Sequence, residues 1–284
     1  MFEFHLSPGW TASLVVSAVI SLSLPVILAI AARRRLGGRW RILGWGALVF
    51  TVSQILTRIP AIQILGWWWQ DALKASQTLQ WLWLTALCFS AGLFEEGGRY
   101  LGYRWLLRKE PKDLSTGVLF GIGHGGFEAM VLVGLGQLTT LVSLYFLQET
   151  GLAMIPAEAR EITEKQLITI MEQPDWVPLL AAWERVASMA IHVSLSLIVL
   201  LAVRSGQWRW LLVAMLYHGA SNFVAVGYLE LAGRDTVSMV VTEVLITLIA
   251  AAGLWFALSR TVRLTKPADG ALNDPPTRPD PEAR

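Results

Sequence analysis

The sequence predicts an all-α protein, a polytopic bundle of transmembrane helices. Of its 284 residues, 54% are hydrophobic. Only 15% are charged, against roughly 25% in an ordinary soluble domain. A soluble fold of this size could not bury that much apolar surface, and the single cysteine, Cys88, excludes a disulfide scaffold. The apolar residues also gather into long runs, which is typical of membrane-spanning helices.

Seven apolar runs approach or exceed the roughly 20 residues that a helix needs to cross the hydrocarbon core. They cover residues 10–32, 41–57, 78–106, 114–146, 177–203, 208–229 and 236–259. The third and fourth runs exceed that length, so an eighth span is expected if one of them breaks. We predict about seven spans in a single transmembrane domain, residues 1–265, whose site-bearing core covers about 78–230.

The distribution of basic residues predicts the orientation of the bundle, because cytoplasmic connections are enriched in Lys and Arg. The basic clusters lie at 33–41, 104–112, 204–209 and 260–266. The opposite connections carry fewer basic residues: Arg58, Lys74, Arg160, Lys165 and Arg234. Seven spans then place the N-terminus outside the cell and the C-terminus in the cytoplasm.

Two segments do not span the membrane. Residues 148–176 are polar and acidic, and 157–171 predicts a short amphipathic helix on the outer face. Residues 266–284 are rich in proline and charge, which predicts a disordered cytoplasmic tail. The composition as a whole indicates a multi-pass protein of a cell membrane, such as a bacterial plasma membrane. Membrane lipid is an expected partner and nucleic acid is not.

Several polar side chains lie inside the predicted spans. Each ionisable group there costs on the order of 2.5–3.5 kcal/mol, so such groups usually mark function. Those in the middle of spans three to six are Glu95, Glu96, Arg99, His124, Glu128, His192, His218 and Asn222. Glu184, Arg185 and Glu243 lie nearer the outer face, where a structural role is the simpler interpretation.

Helical spacing groups these residues into pairs. Glu95 precedes Arg99 by four residues, His124 precedes Glu128 by four, and His218 precedes Asn222 by four, so each pair shares one helix face. Counted from the cytoplasmic end of each span at 1.5 Å per residue, Glu95 and the three histidines lie about 13–18 Å from the cytoplasmic boundary. The sequence therefore predicts one polar layer to which four helices contribute.

That layer contains the groups that hydrolysis needs. A buried carboxylate can take a proton from water, and an amide can stabilise an oxyanion. Imidazoles together with a carboxylate also make a zinc site, for which the candidate ligands are His124, His218, Glu128 and His192. The alternative interpretation is structural, with Glu95 or Glu96 forming a buried ion pair with Arg99 and His124 bonding Glu128.

Three motifs, EEGGRY at residues 95–100, FGIGHGGFE at 120–128 and YHGASNF at 217–223, carry a family resemblance. Together they resemble the CAAX-processing and bacteriocin-processing (Abi or CPBP) superfamily of intramembrane proteases. Within it they are most similar to the YhfC-type intramembrane metalloproteases. The resemblance implies catalytic roles for the motif residues: Glu95, Glu96, Arg99, His124, His218 and Asn222.

In the family, the leading glutamate activates water, and the histidines and asparagine bind a metal or the oxyanion. The superfamily motif has three residues between the glutamate pair and the arginine, whereas only Gly97 and Gly98 stand there in this chain. The shorter spacer leaves the base open between Glu95 and Glu96, with Glu95 favoured.

The resulting hypothesis is an intramembrane peptidase that cleaves a peptide or membrane-protein substrate. Both a Zn²⁺-assisted mechanism and a metal-independent glutamate mechanism agree with the motifs. Two other classes stay open: a proton- or ion-coupled transporter that uses the buried Glu/His cluster, and a non-catalytic scaffold or sensor. A transporter favours polar groups along a path across the membrane, often with an inverted repeat, and no such repeat is evident in the sequence.

Overall fold

The chain folds into a bundle of helices. The computed structural model describes residues 4–265, with side chains to residue 261, and in this part every regular element is helical. The all-α prediction is therefore confirmed for the described residues. The predicted tail, 266–284, lies outside them.

The described part contains nine helices, three of which include or continue into a π-helical segment. They are α1 Pro8–Leu36, α2 Trp40–Trp68, α3 Gln70–Ala75, α4 Gln77–Leu101, α5 Leu114–Met154, α6 Ala157–Glu172, α7 Leu179–Ser205, α8 Arg209–Ala232 and α9 Thr236–Thr265. The π-helical segments are Thr51–Arg58 in α2, Gly102–Leu106 after α4 and Ala129–Gly134 in α5. The predicted helix at 157–171 is present as α6.

Among the described residues, six helices are long and apolar enough to cross a membrane: α1, α2, α5, α7, α8 and α9. The chain is thus a multi-pass membrane protein. Helix α4, which carries the EEGGRY motif, is 25 residues long but is not one of the six. It nevertheless packs along α8 and also contacts α2 and α7. The count of seven spans and the orientation of the termini stay predictions.

The second helix differs most from the sequence prediction. The apolar run at 41–57 underestimates α2, which continues to Trp68. Arg58, counted among the charges of an outer connection, therefore lies within the helix and is only 8% exposed. Its guanidinium is satisfied internally: it donates to Gln54 Oε1 and Ser90 Oγ at 3.0 Å each, and also to the Leu87 carbonyl. These bonds allow the helix to continue past a charged residue.

Helix α7 lies at the centre of the bundle. Its most apolar stretch is 72% buried, and the helix packs against α1, α4, α5, α8 and α9. Glycines of α5 allow close approach of neighbouring helices, because a Cβ at Gly125 would lie 2.6 Å from the His192 Cβ. Similarly, a Cβ at Gly123 would lie 2.6 Å from the Leu43 Cα on α2. These contacts bring His124, between the two glycines, against both α2 and α7.

Candidate functional site

One buried cluster, formed by α4, α5, α7 and α8, contains most of the predicted site residues. Six of them are at most 4% exposed: Glu95, Glu96, Arg99, His124, His192 and His218. Their spacing along the chain gave each helix a polar face, and the packing turns these faces toward one another. The structure therefore brings together the polar layer expected from the motifs.

Glu95 lies at the centre of this cluster. Its Oε2 is 2.8 Å from His124 Nε2, and its Oε1 accepts a hydrogen bond from the Gln54 side-chain amide. His218 Nε2 lies 3.8 Å from Oε1, and Arg99 is 4.0 Å from Oε2. Side chains from three other helices, α2, α5 and α8, thus surround the Glu95 carboxylate, and each of its oxygens has a hydrogen-bond partner.

Glu96 has a different environment. Both of its oxygens lie 2.6 Å from Arg99 NH1, and Oε1 also lies 2.8 Å from His218 Nδ1. Glu96 and Arg99 are fully buried. Since an ionised Glu96 can only accept, the Nδ1–H of His218 donates to it, and Nε2 of that imidazole faces Glu95. Glu96 is held as the partner of Arg99 and His218.

His192 extends the cluster along α7. Arg99 NH2 is 3.0 Å from His192 Nδ1, and His192 Nε2 is 2.9 Å from Glu128 Oε2. An arginine can only donate, so His192 accepts at Nδ1 and donates at Nε2. Arg185, buried on the same helix, continues the network at 3.6 Å from Glu128 Oε1 and 2.5 Å from Glu184 Oε1. Glu128 therefore bonds His192, whereas the sequence had paired it with His124.

A cavity of about 140 Å³ lies beside the cluster. Its lining includes Glu95, Glu128, His192, His218 and Asn222. Asn222 is half-buried on the helix face that it shares with His218, as the four-residue spacing predicted. The carboxylate, imidazole and amide groups required for hydrolysis thus face one space with room for several water molecules.

The geometry of the cluster suits a metal ion. Ligand atoms of Glu95, His124 and His192 lie within 4.8 Å of one another. The ring centroids of His124 and His192 are 5.5 Å apart and those of His192 and His218 are 5.8 Å apart. Imidazoles around one tetrahedral zinc place their centroids about 5 Å apart, which is close to these two separations. The buried Nδ1 of His124 has no hydrogen-bond partner.

This group differs from the predicted ligand set, which contained His218 and Glu128 but not Glu95. Glu128 lies behind His192 and bonds the nitrogen that does not face Arg99. His218 presents Nε2 to Glu95 but is not one of the three residues that lie within mutual reach. The assignment of metal ligands and of catalytic residues within the cluster stays a prediction.

Two site residues escaped the sequence analysis. Gln54 and Arg58, both on α2, connect through hydrogen bonds to Glu95. Arg58 follows the apolar run, which predicts a position in a connection, and Gln54 carries no charge that would distinguish it within that run. Their i,i+4 spacing in QILTR was the available signal.

The fold and the cluster define a class: a multi-pass helical membrane protein with a buried site of carboxylates, histidines and arginines that could hold a metal. Comparison with known proteins narrows this class. Residues 20–246 match the family described as YhfC intramembrane metalloprotease, and the chain belongs to that family. The resemblance to the YhfC type is thereby confirmed, whereas the wider relation to the CAAX-processing superfamily stays a prediction.

A curated relative agrees with this assignment. The chain is 29% identical over 251 residues to the "uncharacterized membrane protein YhfC" of Bacillus subtilis (strain 168). The alignment covers 86% of this chain and 93% of the relative. No solved structure matches the chain.

Proposed function

We propose that this protein is an intramembrane peptidase that hydrolyses a peptide bond with water activated by Glu95. The observation that carries the proposal is the position of Glu95, which lines the cavity while three histidines and a fixed arginine surround it. A carboxylate beside imidazoles in a buried, water-sized space is the arrangement that general-base hydrolysis requires. Family membership supports the same reaction class.

Glu95 is the better base of the two neighbouring glutamates. It lines the cavity, so a water molecule there can reach its carboxylate. Glu96 instead has both oxygens engaged by Arg99 and one by His218. Its role in the proposed site is to hold Arg99 and to fix the tautomer of His218.

A zinc ion would be held by His124 and His192, whose ligand atoms lie within 4.8 Å of each other and of Glu95, and by His218, whose Nε2 is 3.8 Å from Glu95. Two of these imidazoles have a carboxylate on their other nitrogen, His192 with Glu128 and His218 with Glu96. Such second partners orient and strengthen metal-binding histidines. Bound zinc would polarise the carbonyl of the scissile bond. For His192 to bind zinc through Nδ1, the hydrogen bond that Arg99 NH2 donates to this nitrogen must break. Arg99 would then stay bound to Glu96 through NH1.

Asn222 completes the proposed site. Its amide lines the cavity one helical turn after His218, where it can donate to the oxygen of the tetrahedral intermediate. Glu95, after taking the proton of water, can pass it to the leaving amine. A peptide or a membrane protein in the lipid phase of a bacterial plasma membrane is the proposed substrate.

The proposal is tested by comparing new peptide N-termini in membranes from cells that express the parent protein or Glu95→Gln. We expect a defined set of N-termini that appears with the parent and disappears with Glu95→Gln and His124→Ala. His5→Ala, a change at an exposed histidine outside the site, should leave the set intact. Identical N-termini in the parent and Glu95→Gln membranes would refute the proposal.

One observation favours a transporter as the second candidate. The network continues from the site through Glu128 and Arg185 to Glu184, whose side chain is 41% exposed, so ionisable groups lead from the cavity to the surface. Proton flux into liposomes that contain the purified protein would support this alternative if it were lost in Glu128→Gln. The peptidase proposal expects no such flux.

A further inference from the structure

A chain of hydrogen bonds enters the site from α2, a helix outside the three motifs. Arg58 NH1 donates to Gln54 Oε1 at 3.0 Å, and Gln54 Nε2 donates to Glu95 Oε1. Gln54 is 7% and Arg58 8% exposed. Burial of an arginine within a membrane helix costs free energy, so an arginine next to the carboxylate of Glu95 indicates a functional role.

The direction of this chain follows from its chemistry. A guanidinium has five N–H donors and no acceptor, so Arg58 can only bond the oxygen of the Gln54 amide. The amide nitrogen must then face Glu95. Arg58 thereby decides which end of Gln54 meets the carboxylate, and Glu95 Oε1 becomes an acceptor.

Arg58 is itself anchored to the helix that carries Glu95. Its other two nitrogens donate to Ser90 Oγ at 3.0 Å and to the Leu87 carbonyl, both on α4. Each of the three guanidinium nitrogens therefore has a partner, which holds the group in one orientation at the edge of the cavity. The segment Thr51–Arg58 is π-helical, and such irregular turns are frequent at functional sites.

We propose that Gln54 and Arg58 are positioning residues of the peptidase site: Gln54 fixes the carboxylate of Glu95, and Arg58 acts through Gln54. This inference rests on the proposed function. The purely structural alternative is that Arg58 only joins α2 to α4. Under that alternative, Gln54 has no effect on turnover beyond its effect on folding.

The test uses the full-length protein in detergent or liposomes and a peptide that spans a Glu95-dependent cleavage site. A misplacement of about 1 Å can cost 100-fold in rate, so Gln54→Leu should lower kcat about 10- to 100-fold with KM within about threefold. Arg58→Met should lower kcat similarly, and Arg58→Lys should restore part of it because an ammonium can still donate to Gln54.

The double variant, Gln54→Leu with Arg58→Met, should be no slower than Gln54→Leu alone, since Arg58 acts through Gln54. The matched control is Ser53→Ala, a buried hydroxyl in the same π-helical segment that bonds only its own helix. It should keep the parental kcat. Zinc content should equal the parent's in all of these variants, because neither residue is a proposed ligand.

The outcomes separate this inference from the proposed function. If the parent cleaves the peptide and Gln54→Leu does so equally fast, the positioning role is wrong while the peptidase stands. Equal losses in Gln54→Leu and Ser53→Ala, accompanied by lower thermal stability, would also overturn it. If no Glu95-dependent product forms even with the parent, both proposals fail.

Discussion

The buried pair of Glu96 and Arg99 allows a quantitative prediction about stability. Glu96→Gln keeps the size of the side chain but removes the charge that faces Arg99. The side chain of Arg99 is 0% exposed. Loss of one partner from a buried ion pair costs about 3–5 kcal/mol, because the other charge remains uncompensated. Here the lower end applies, since the new amide oxygen still accepts from Arg99 and Glu95 lies 4.0 Å away. We expect a loss of about 3 kcal/mol in the free energy of unfolding.

The assay is equilibrium unfolding in mixed detergent micelles, followed by tryptophan fluorescence. Replacement of both partners, Glu96→Gln with Arg99→Met, should recover part of the loss because the charge of Arg99 is removed together with that of Glu96. Recovery is incomplete because Glu95 then lacks its ion pair with Arg99. The control is Glu161→Gln, which breaks an exposed pair with Lys165 and should cost less than about 1 kcal/mol. A Glu96→Gln protein as stable as the parent, or a double variant less stable than the single one, would refute this reasoning.

Three further predictions follow from the same geometry. Glu95→Gln should be inactive yet as thermostable as the parent, whereas Glu96→Gln should keep some turnover. If Glu96→Gln is instead stable and inactive while Glu95→Gln is active, the two glutamates have the opposite roles. Alanine at Glu95, His124 or His218 should each abolish activity, with double variants scarcely worse, whereas mild and additive losses would indicate an extended relay. Cysteine labelling in a Cys88→Ser background should reach position 160 from outside and position 110 only from inside, and the reverse pattern would overturn the predicted orientation.

Much of the fold was predictable because membrane spans are encoded locally. A span must satisfy its backbone hydrogen bonds within its own helix, so a long apolar run indicates a helix without knowledge of its neighbours. The boundaries were less predictable where a polar residue is satisfied by another helix. Arg58 ended the second predicted span, yet its partners Leu87 and Ser90 on α4 keep it inside the helix.

The residues of the site were predictable from spacing, but their pairing was not. The i,i+4 rule paired Glu95 with Arg99, and that ion pair is present at 4.0 Å, but the hydrogen bonds of Arg99 to a carboxylate go to Glu96 at i,i+3. The reason is that Glu95 is occupied by His124 from α5 and Gln54 from α2. For the same reason Glu128, which shares a helix face with His124, bonds His192 on α7 instead. Partner choice depends on how helices pack, and one sequence does not contain that information.

The central claim, a single metal-assisted site built by four helices, is tested most directly by the zinc content of the purified protein. Elemental mass spectrometry should find about one zinc per chain in the parent and in His5→Ala. It should find almost none in His124→Ala, His192→Ala or His218→Ala, provided that each variant elutes as a folded protein. Zinc retained by all three site variants, or a zinc-free parent that still cleaves its substrate, would contradict the account.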